Sequence, residues 1–295
     1  PQGRGRGRGA RPAPIARRHA PIHRTEAIPL PTHIHLQPAD AAAPDTPAVR
    51  PRRDRAAAPR VAVRPVHRWY LPCKDGLDFV AALALGVAAL PVIALSALIV
   101  KLTSRGPAFY TQTRVGRGGR LFTIYKVRTM VHNCESLTGP RWSIPGDPRV
   151  TAFGWFLRKT HLDELPQLLN VLRGEMSLIG PRPERPEFIP ELERALPAYG
   201  QRLEVRPGVT GLAQVQLPAD TDLHSVRLKL AHDLYYVRHA NPWLDLRLLV
   251  CTAFYAAGVP FALLSRLLRV PDGGAVEREM QGAVVEPAAR ARIAS

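Results

Sequence analysis

Three features of the sequence predict a mainly α-helical membrane protein with a small β-hairpin. Residues 79–100, FVAALALGVAALPVIALSALIV, run 22 positions without a charge. Residues 108–127 hold two β-rich stretches around a glycine cluster, and leucines recur at helical spacing after residue 165.

The chain begins with a segment of different composition. Residues 1–68 hold fourteen Arg, no Lys, four acids and twelve Pro, so they carry +10 of the net charge of +17. This segment contains the repeat GRGRGRG at residues 3–9 and has no hydrophobic periodicity. It cannot bury enough apolar surface to offset its ordering entropy, which predicts a disordered basic arm. An arginine-glycine tract can bind RNA and a polybasic tail can lie on an anionic membrane, while a solvated tail is the simplest reading. The sequence opens at Pro1 rather than Met, which leaves an upstream signal or further membrane spans open. Cys73, Cys134 and Cys251 are few, odd in number and far apart. That argues against a disulfide framework and a zinc site, and suits a reducing compartment.

Residues 69–105 form the predicted membrane segment. The 22-residue run is long enough to cross a hydrocarbon core of about 30 Å as a helix. Pro91 interrupts it just past the middle, and Lys74, Lys101 and Arg105 put basic residues at both ends, where a spanning helix normally has a one-sided bias. Two geometries remain open: a helix bent at Pro91 that enters and leaves the same leaflet, and a kinked helix that spans.

A catalytic region is expected over residues 106–252. AFYTQTRV and LFTIYKV flank Gly116-Arg117-Gly118-Gly119, which predicts a hairpin with a loose glycine turn. Its basic residues include Arg114, Lys126 and Arg128, a strip suited to lipid headgroups, to a diphosphate, or simply to a solvated edge. Farther on, LRKTHLDELPQLLN (157–170) places two carboxylates, Asp163 and Glu164, just before Pro166. Proline is tolerated early in a helix, where its missing N–H would be unpaired anyway, so a helix running to about Gly174 would take Asp163 as its N-cap. Ordinary capping explains such an acid; so does an ionised carboxylate acting as nucleophile or metal ligand on a phosphate ester.

SLIGPRPERPEF (177–188) holds Arg182 and Arg185 between prolines, a stiff arrangement that suits a phosphate, although the arginines could instead pair with Glu184 and Glu187. PGVTG (207–211) reads as a turn whose glycines permit close approach to substrate. Asp220-Thr221-Asp222 matches a metal-binding Asp-x-Asp pattern, but a three-residue match in a polar connector is weak. Residues 248–264 are apolar but short for a span and flanked by arginines, so residues 253–269 are expected to be interfacial. Residues 270–295 read as a polar tail.

From about Lys74 to Thr252 the chain resembles the bacterial sugar transferases, the monotopic phosphoglycosyl transferases. The resemblance is carried by KLTSRGPAFYTQTRVGRGGRLFTIYKVRTM, DPRVTAFGWFLRKTHLDELPQLLNVLRGEMSLIGPRPERPEF, VRPGVTGLAQV and KLAHDLYYVRHANPWLDL. It implies a monotopic fold with one proline-broken re-entrant helix, both of its ends cytoplasmic, and amphipathic interfacial helices. It also implies transfer of a sugar 1-phosphate from a nucleotide diphosphate sugar, a UDP-sugar, to undecaprenyl phosphate at the bacterial inner membrane. In that chemistry Asp163 attacks the β-phosphate and carries the phosphosugar, and Glu164 either binds Mg²⁺ or handles the acceptor's proton. Arg158, Arg182, Arg185, Arg114, Lys126 and Arg128 are the expected phosphate-binding residues, with Mg²⁺ held by Asp163 and Glu164. No specific nucleic acid is expected and a homodimer is left open. Two rivals stand beside this reading: a membrane-anchored RNA-binding protein led by the arginine-glycine arm, and an inactive scaffold of the same fold.

Overall fold

The computed structural model describes residues 69–136, 139, 146–220 and 222–284, with side chains through residue 280. The expected basic arm (1–68) and the last part of the expected polar tail lie outside the described residues.

Helix α1 (Tyr70–Thr103) runs 34 residues, continuous through Pro91. The expected break is therefore not a break in secondary structure. Small or polar side chains, Asp78, Ala82, Ala89 and Ser96, form the stripe that α1 buries against the rest of the protein, while Leu83, Val87, Leu90, Leu95 and Leu98 are exposed. α1 is long and apolar enough to cross a membrane, and its exposed leucines and valines suit an apolar medium.

The foot of α1 is fastened by a buried polar cluster. Lys74 Nζ lies 2.5 Å from an Asp245 carboxylate oxygen and 3.3 Å from Asp78. Tyr70 and Tyr236 donate to Asp245 at 2.7 and 2.8 Å, and Ser177 donates to Asp78 at 2.6 Å. Lys74, which the sequence places among the basic residues flanking the apolar run, is thus buried and neutralised by two carboxylates. The basic symmetry around the apolar run is weaker than the sequence alone implies.

Strands β1 (Phe109–Val115) and β2 (Leu121–Val127) pair antiparallel as the expected hairpin, with Val115 opposite Leu121. Two short helices follow, α2 (Ala152–Thr160) and α3 (Leu168–Leu172), joined by a 3₁₀ turn over Leu162–Gln167. Strand β3 (Ser177–Ile179) pairs in parallel with β4 (Gly208–Thr210); α4 (Ile189–Ala195) and a second 3₁₀ turn, Tyr199–Glu204, lie between them in sequence. PGVTG is thus mostly strand rather than turn. Its glycines serve backbone packing: a Cβ at Gly208 would come within 2.1 Å of the Gly180 nitrogen and one at Gly180 within 2.5 Å of the Arg206 carbonyl oxygen.

The C-terminal part is helical: α5 (Leu212–Gln216), α6 (Leu223–His239), α7 (Pro242–Ala256), α8 (Phe261–Leu268) and α9 (Gly273–Val284). The apolar run 248–264 is divided between α7 and α8 at Gly258 and Pro260, so it is no second crossing helix. Phe254 and Tyr255 of α7 and Leu263 and Leu267 of α8 are exposed. Residues 273–284, read from sequence as the start of a polar tail, instead form α9, which packs on α6 and buries Val276 and Met280.

Candidate active site

The carboxylate pair is positioned by an abrupt change of helix. The Thr151 hydroxyl caps α2 by accepting from the Gly154 amide at 3.0 Å. Gly154 rests on the Thr129 backbone, where a Cβ would come within 2.0 Å of a carbonyl oxygen, so no larger residue fits. At the other end His161 adopts the left-handed conformation (φ 57°), closing α2 and opening the 3₁₀ turn at once. Asp163 is consequently not an N-cap. It lies inside the turn, where no side chain caps the amides. The 3₁₀ turn packs against both β2 and α1.

Asp163 and Glu164 occupy different environments although they are neighbours in sequence. Asp163 is 6% exposed, and among the described residues its carboxylate makes no hydrogen bond or ion pair. Burial, reinforced by the charge of Glu164, pushes its pKa up to about 6 against the pull of Lys126, Arg182 and Arg158. Glu164 is held by two cations: Lys126 Nζ at 2.9 Å, and Arg182 through both nitrogens at 2.5 and 3.2 Å. Burial works to raise the Glu164 carboxyl, but Arg182 and Lys126 outweigh it and hold the group well below the usual range.

Both carboxylates line a cavity of about 800 Å³, bounded by the hairpin, residues 128–136, the 182–185 loop and the α5–α6 segment. All six expected phosphate-binding residues line it. Arg158 donates from Nε to the Thr129 hydroxyl at 2.8 Å. Arg114 reaches Gln112 at 2.7 Å, the Pro183 carbonyl at 3.1 Å and Glu184 at 3.5 Å. Arg185 is buried against Glu135, at 3.0 Å, and reaches Glu187 at 3.6 Å. Arg128 donates to the carbonyls of Ser104 and Arg105 at 2.9 and 2.6 Å, which commits its terminal nitrogens to the chain just after α1.

A second charged group along the cavity is absent from the sequence-based list. Arg202 donates to Asp233 at 2.7 Å, to the Tyr199 hydroxyl at 2.6 Å and to the Arg182 carbonyl at 2.7 Å; Lys229 pairs with Asp220 at 3.0 Å. One signal could have exposed Asp233: with Val226, Leu230 and Val237 it falls on the buried apolar stripe of α6, where a lone charge needs a partner. The Asp-x-Asp match is explained without metal, since Asp220 pairs with Lys229 and Asp222 caps α6 by accepting from Ser225 at 2.7 Å.

A profile of the family described as bacterial sugar transferase matches residues 69–258, which span α1, the hairpin and the cavity. The chain belongs to this family. Its relatives include the UDP-N-acetylgalactosamine-undecaprenyl-phosphate N-acetylgalactosaminephosphotransferase of Aeromonas hydrophila, 44% identical over 176 residues, 60% of this chain and 41% of the relative. A UDP-glucose:undecaprenyl-phosphate glucose-1-phosphate transferase of Caulobacter vibrioides is 44% identical over 181 residues, 61% of this chain and 67% of the relative. An exopolysaccharide production protein PSS of Rhizobium leguminosarum bv. phaseoli is 38% identical over 187 residues, 62% of this chain and 94% of the relative. The chain spans about two fifths of the length of the Aeromonas protein.

Proposed function

We propose that the protein is a phosphoglycosyl transferase that moves a sugar 1-phosphate from a UDP-sugar to undecaprenyl phosphate and starts synthesis of an exopolysaccharide or surface glycan. The observation that carries this reading is the unpartnered, buried Asp163 carboxylate in a cavity lined by Arg158, Lys126 and Arg182. The names of the relatives supply the reactant classes.

In the first step an Asp163 oxygen attacks the β-phosphorus of the donor, the bond to the bridging oxygen breaks, and the nucleoside monophosphate leaves. In the second, a phosphate oxygen of the acceptor attacks the same phosphorus, forming a lipid diphosphate sugar and restoring the carboxylate. Two anionic reactants repel, and the guanidinium groups of Arg158, Arg182 and Arg114 offset that repulsion at the phosphoryl oxygens. With a pKa near 6, Asp163 is ionised at neutral pH yet more basic than an exposed carboxylate. Glu164 stays ionised and tied to two cations, which suits a positioning role for Lys126 and Arg182 better than proton transfer.

Mg²⁺ belongs to this proposal. Among the described residues no group of three His, Cys, Asp or Glu is arranged to hold a metal, and Asp163 is the open member of its pair. Asp163, with Glu164 beside it, would hold the ion, and carboxylate oxygens are the donor type Mg²⁺ prefers. Bound there, it would supply charge neutralisation of the phosphoryl oxygens.

In this proposal α1 is re-entrant by a bend, not a break, at Pro91, with both ends on the cytoplasmic side of the inner membrane and the exposed apolar residues of α7 and α8 at the interface. The RNA-binding rival rests on residues 1–68, outside the described residues, and finds no support in the family match. The deciding experiment supplies purified protein with labelled UDP-sugars and undecaprenyl phosphate. Label in the lipid phase, with release of UMP, supports the reaction; neither product from any donor contradicts it.

A further inference from the structure

The cavity has two chemically different walls. Around Asp163, Arg158 and Arg182 give a cationic surface suited to a diphosphate. Along α5 and α6 the charges cancel locally: Asp233 is matched by Arg202 at 2.7 Å, and Asp220 by Lys229 at 3.0 Å. A locally neutral wall that still presents carboxylates suits a ligand rich in hydroxyl donors. It offers a diphosphate no net attraction and would waste its polarity on an acyl chain.

Two residues of this wall have unused hydrogen-bonding capacity. Arg202 engages one oxygen of Asp233, and among the described residues no hydrogen bond or ion pair engages the other. Gln214 lies on the cavity wall, and both its amide atoms are shielded without a hydrogen-bond partner among the described residues. Its carbonyl oxygen folds against Gly211, where a Cβ would come within 2.7 Å. Native folds seldom leave a buried amide unsatisfied, and a turn of this side chain away from Gly211 would bring the amide to a ligand in the cavity. Arg202 also donates to the Arg182 carbonyl, which ties this wall to the residue that clamps Glu164.

We propose that the α5–α6 wall is the subsite that selects the donor's sugar, with Asp233 and Gln214 as specificity-determining residues for its hydroxyl or acetamido groups. The inference rests on the nucleotide-sugar reading above.

The test measures kcat/KM for UMP release from UDP-glucose, UDP-galactose and their N-acetylated counterparts, with UDP as a sugar-free competitor. Asp233→Asn is compared with Gln214→Ala, the second variant leaving the Arg202 ion pair intact. Each should lower kcat/KM for the preferred donor by about 10- to 100-fold and compress its advantage over the other sugars, the loss expected for one hydrogen bond to a polar substrate group. Inhibition by UDP should stay within about threefold of wild type, because UDP lacks the sugar. An equal loss for every sugar and for UDP in both variants assigns the two residues a structural role and overturns the subsite. So does unchanged sugar selectivity in both variants when the wild-type chain releases UMP. No release by the wild-type chain overturns the parent reading and this one with it.

Discussion

Glu164 chelates Arg182 through both carboxylate oxygens, at 2.5 and 3.2 Å, while Asp163, one residue earlier, has no hydrogen-bonding or ionic partner among the described residues. One carboxylate is spent on holding cations; the other is kept available and basic. This asymmetry is the chemical basis of the proposed mechanism, and several measurements test it.

Arg182→Ala should lower kcat/KM by about 1.5 to 3 kcal/mol, the range for a charge-assisted hydrogen bond. The Arg182 side chain is 45% exposed and Lys126 still holds Glu164, so the melting temperature should change little. Steady-state kinetics beside a thermal melt check this. Normal kinetics with a large loss of stability would assign Arg182 to the fold instead.

Asp163 links stability and activity to pH in opposite directions. Its folded pKa, about 6, lies above the ordinary 3.8, so its contribution to stability is full below pH 3.8 and lost as pH rises through 6. Asp163→Asn removes the buried charge and should stabilise the protein at pH 8 by up to about 3 kcal/mol, a gain that vanishes near pH 4. Wild-type UMP release should fall as pH drops below 6, because the protonated carboxyl is no nucleophile. Melts at the two pH values and a pH–rate profile measure both effects; an Asp163→Asn protein less stable at pH 8 would contradict the desolvated-carboxylate account.

Asp245→Ala leaves Lys74 with Asp78 alone, removes the acceptor of Tyr70 and leaves Tyr236 only the Ile179 carbonyl. Breaking a buried ion pair on one side costs about 3 to 5 kcal/mol, so the variant should unfold early or release α1 from the domain. Denaturation in detergent, with Lys74→Met and the double variant completing the cycle, separates the pair from its neighbours. Additive effects would show that Lys74 and Asp245 do not depend on each other.

The re-entrant geometry predicts that both ends of α1 share one side of the membrane. Cys73 is exposed at the first end and Leu102 at the other. In a Cys134→Ser background, Cys73 and a Leu102→Cys substitution should both react with an impermeant reagent applied to the cytoplasmic face. Labelling from opposite faces would establish a spanning helix.

Much of this architecture is legible because it is local. The hairpin follows from two β-rich runs and four turn residues, and the leucine spacing marks α3 with its end before Gly174. Interactions between distant segments left little trace. Nothing in the neighbourhood of Lys74 announces Asp245, 171 residues away, so a buried cation reads as a membrane-flanking charge. Asp163 looks like a cap because Pro166 demands the start of a helix; that start is a 3₁₀ turn opened by a left-handed His161, which no local propensity predicts. The Arg202–Asp233 pair also escaped the residue-by-residue reading, since its members lie on different elements.

The central claim is that Asp163 is the nucleophile, and the most direct measurement is intact-protein and peptide mass spectrometry after incubation with a UDP-sugar and no acceptor. The account predicts a phosphosugar adduct on the peptide carrying Asp163, discharged on adding undecaprenyl phosphate, and no adduct in a folded Asp163→Asn protein. Near-wild-type turnover by that variant, or an adduct on another residue, would contradict it.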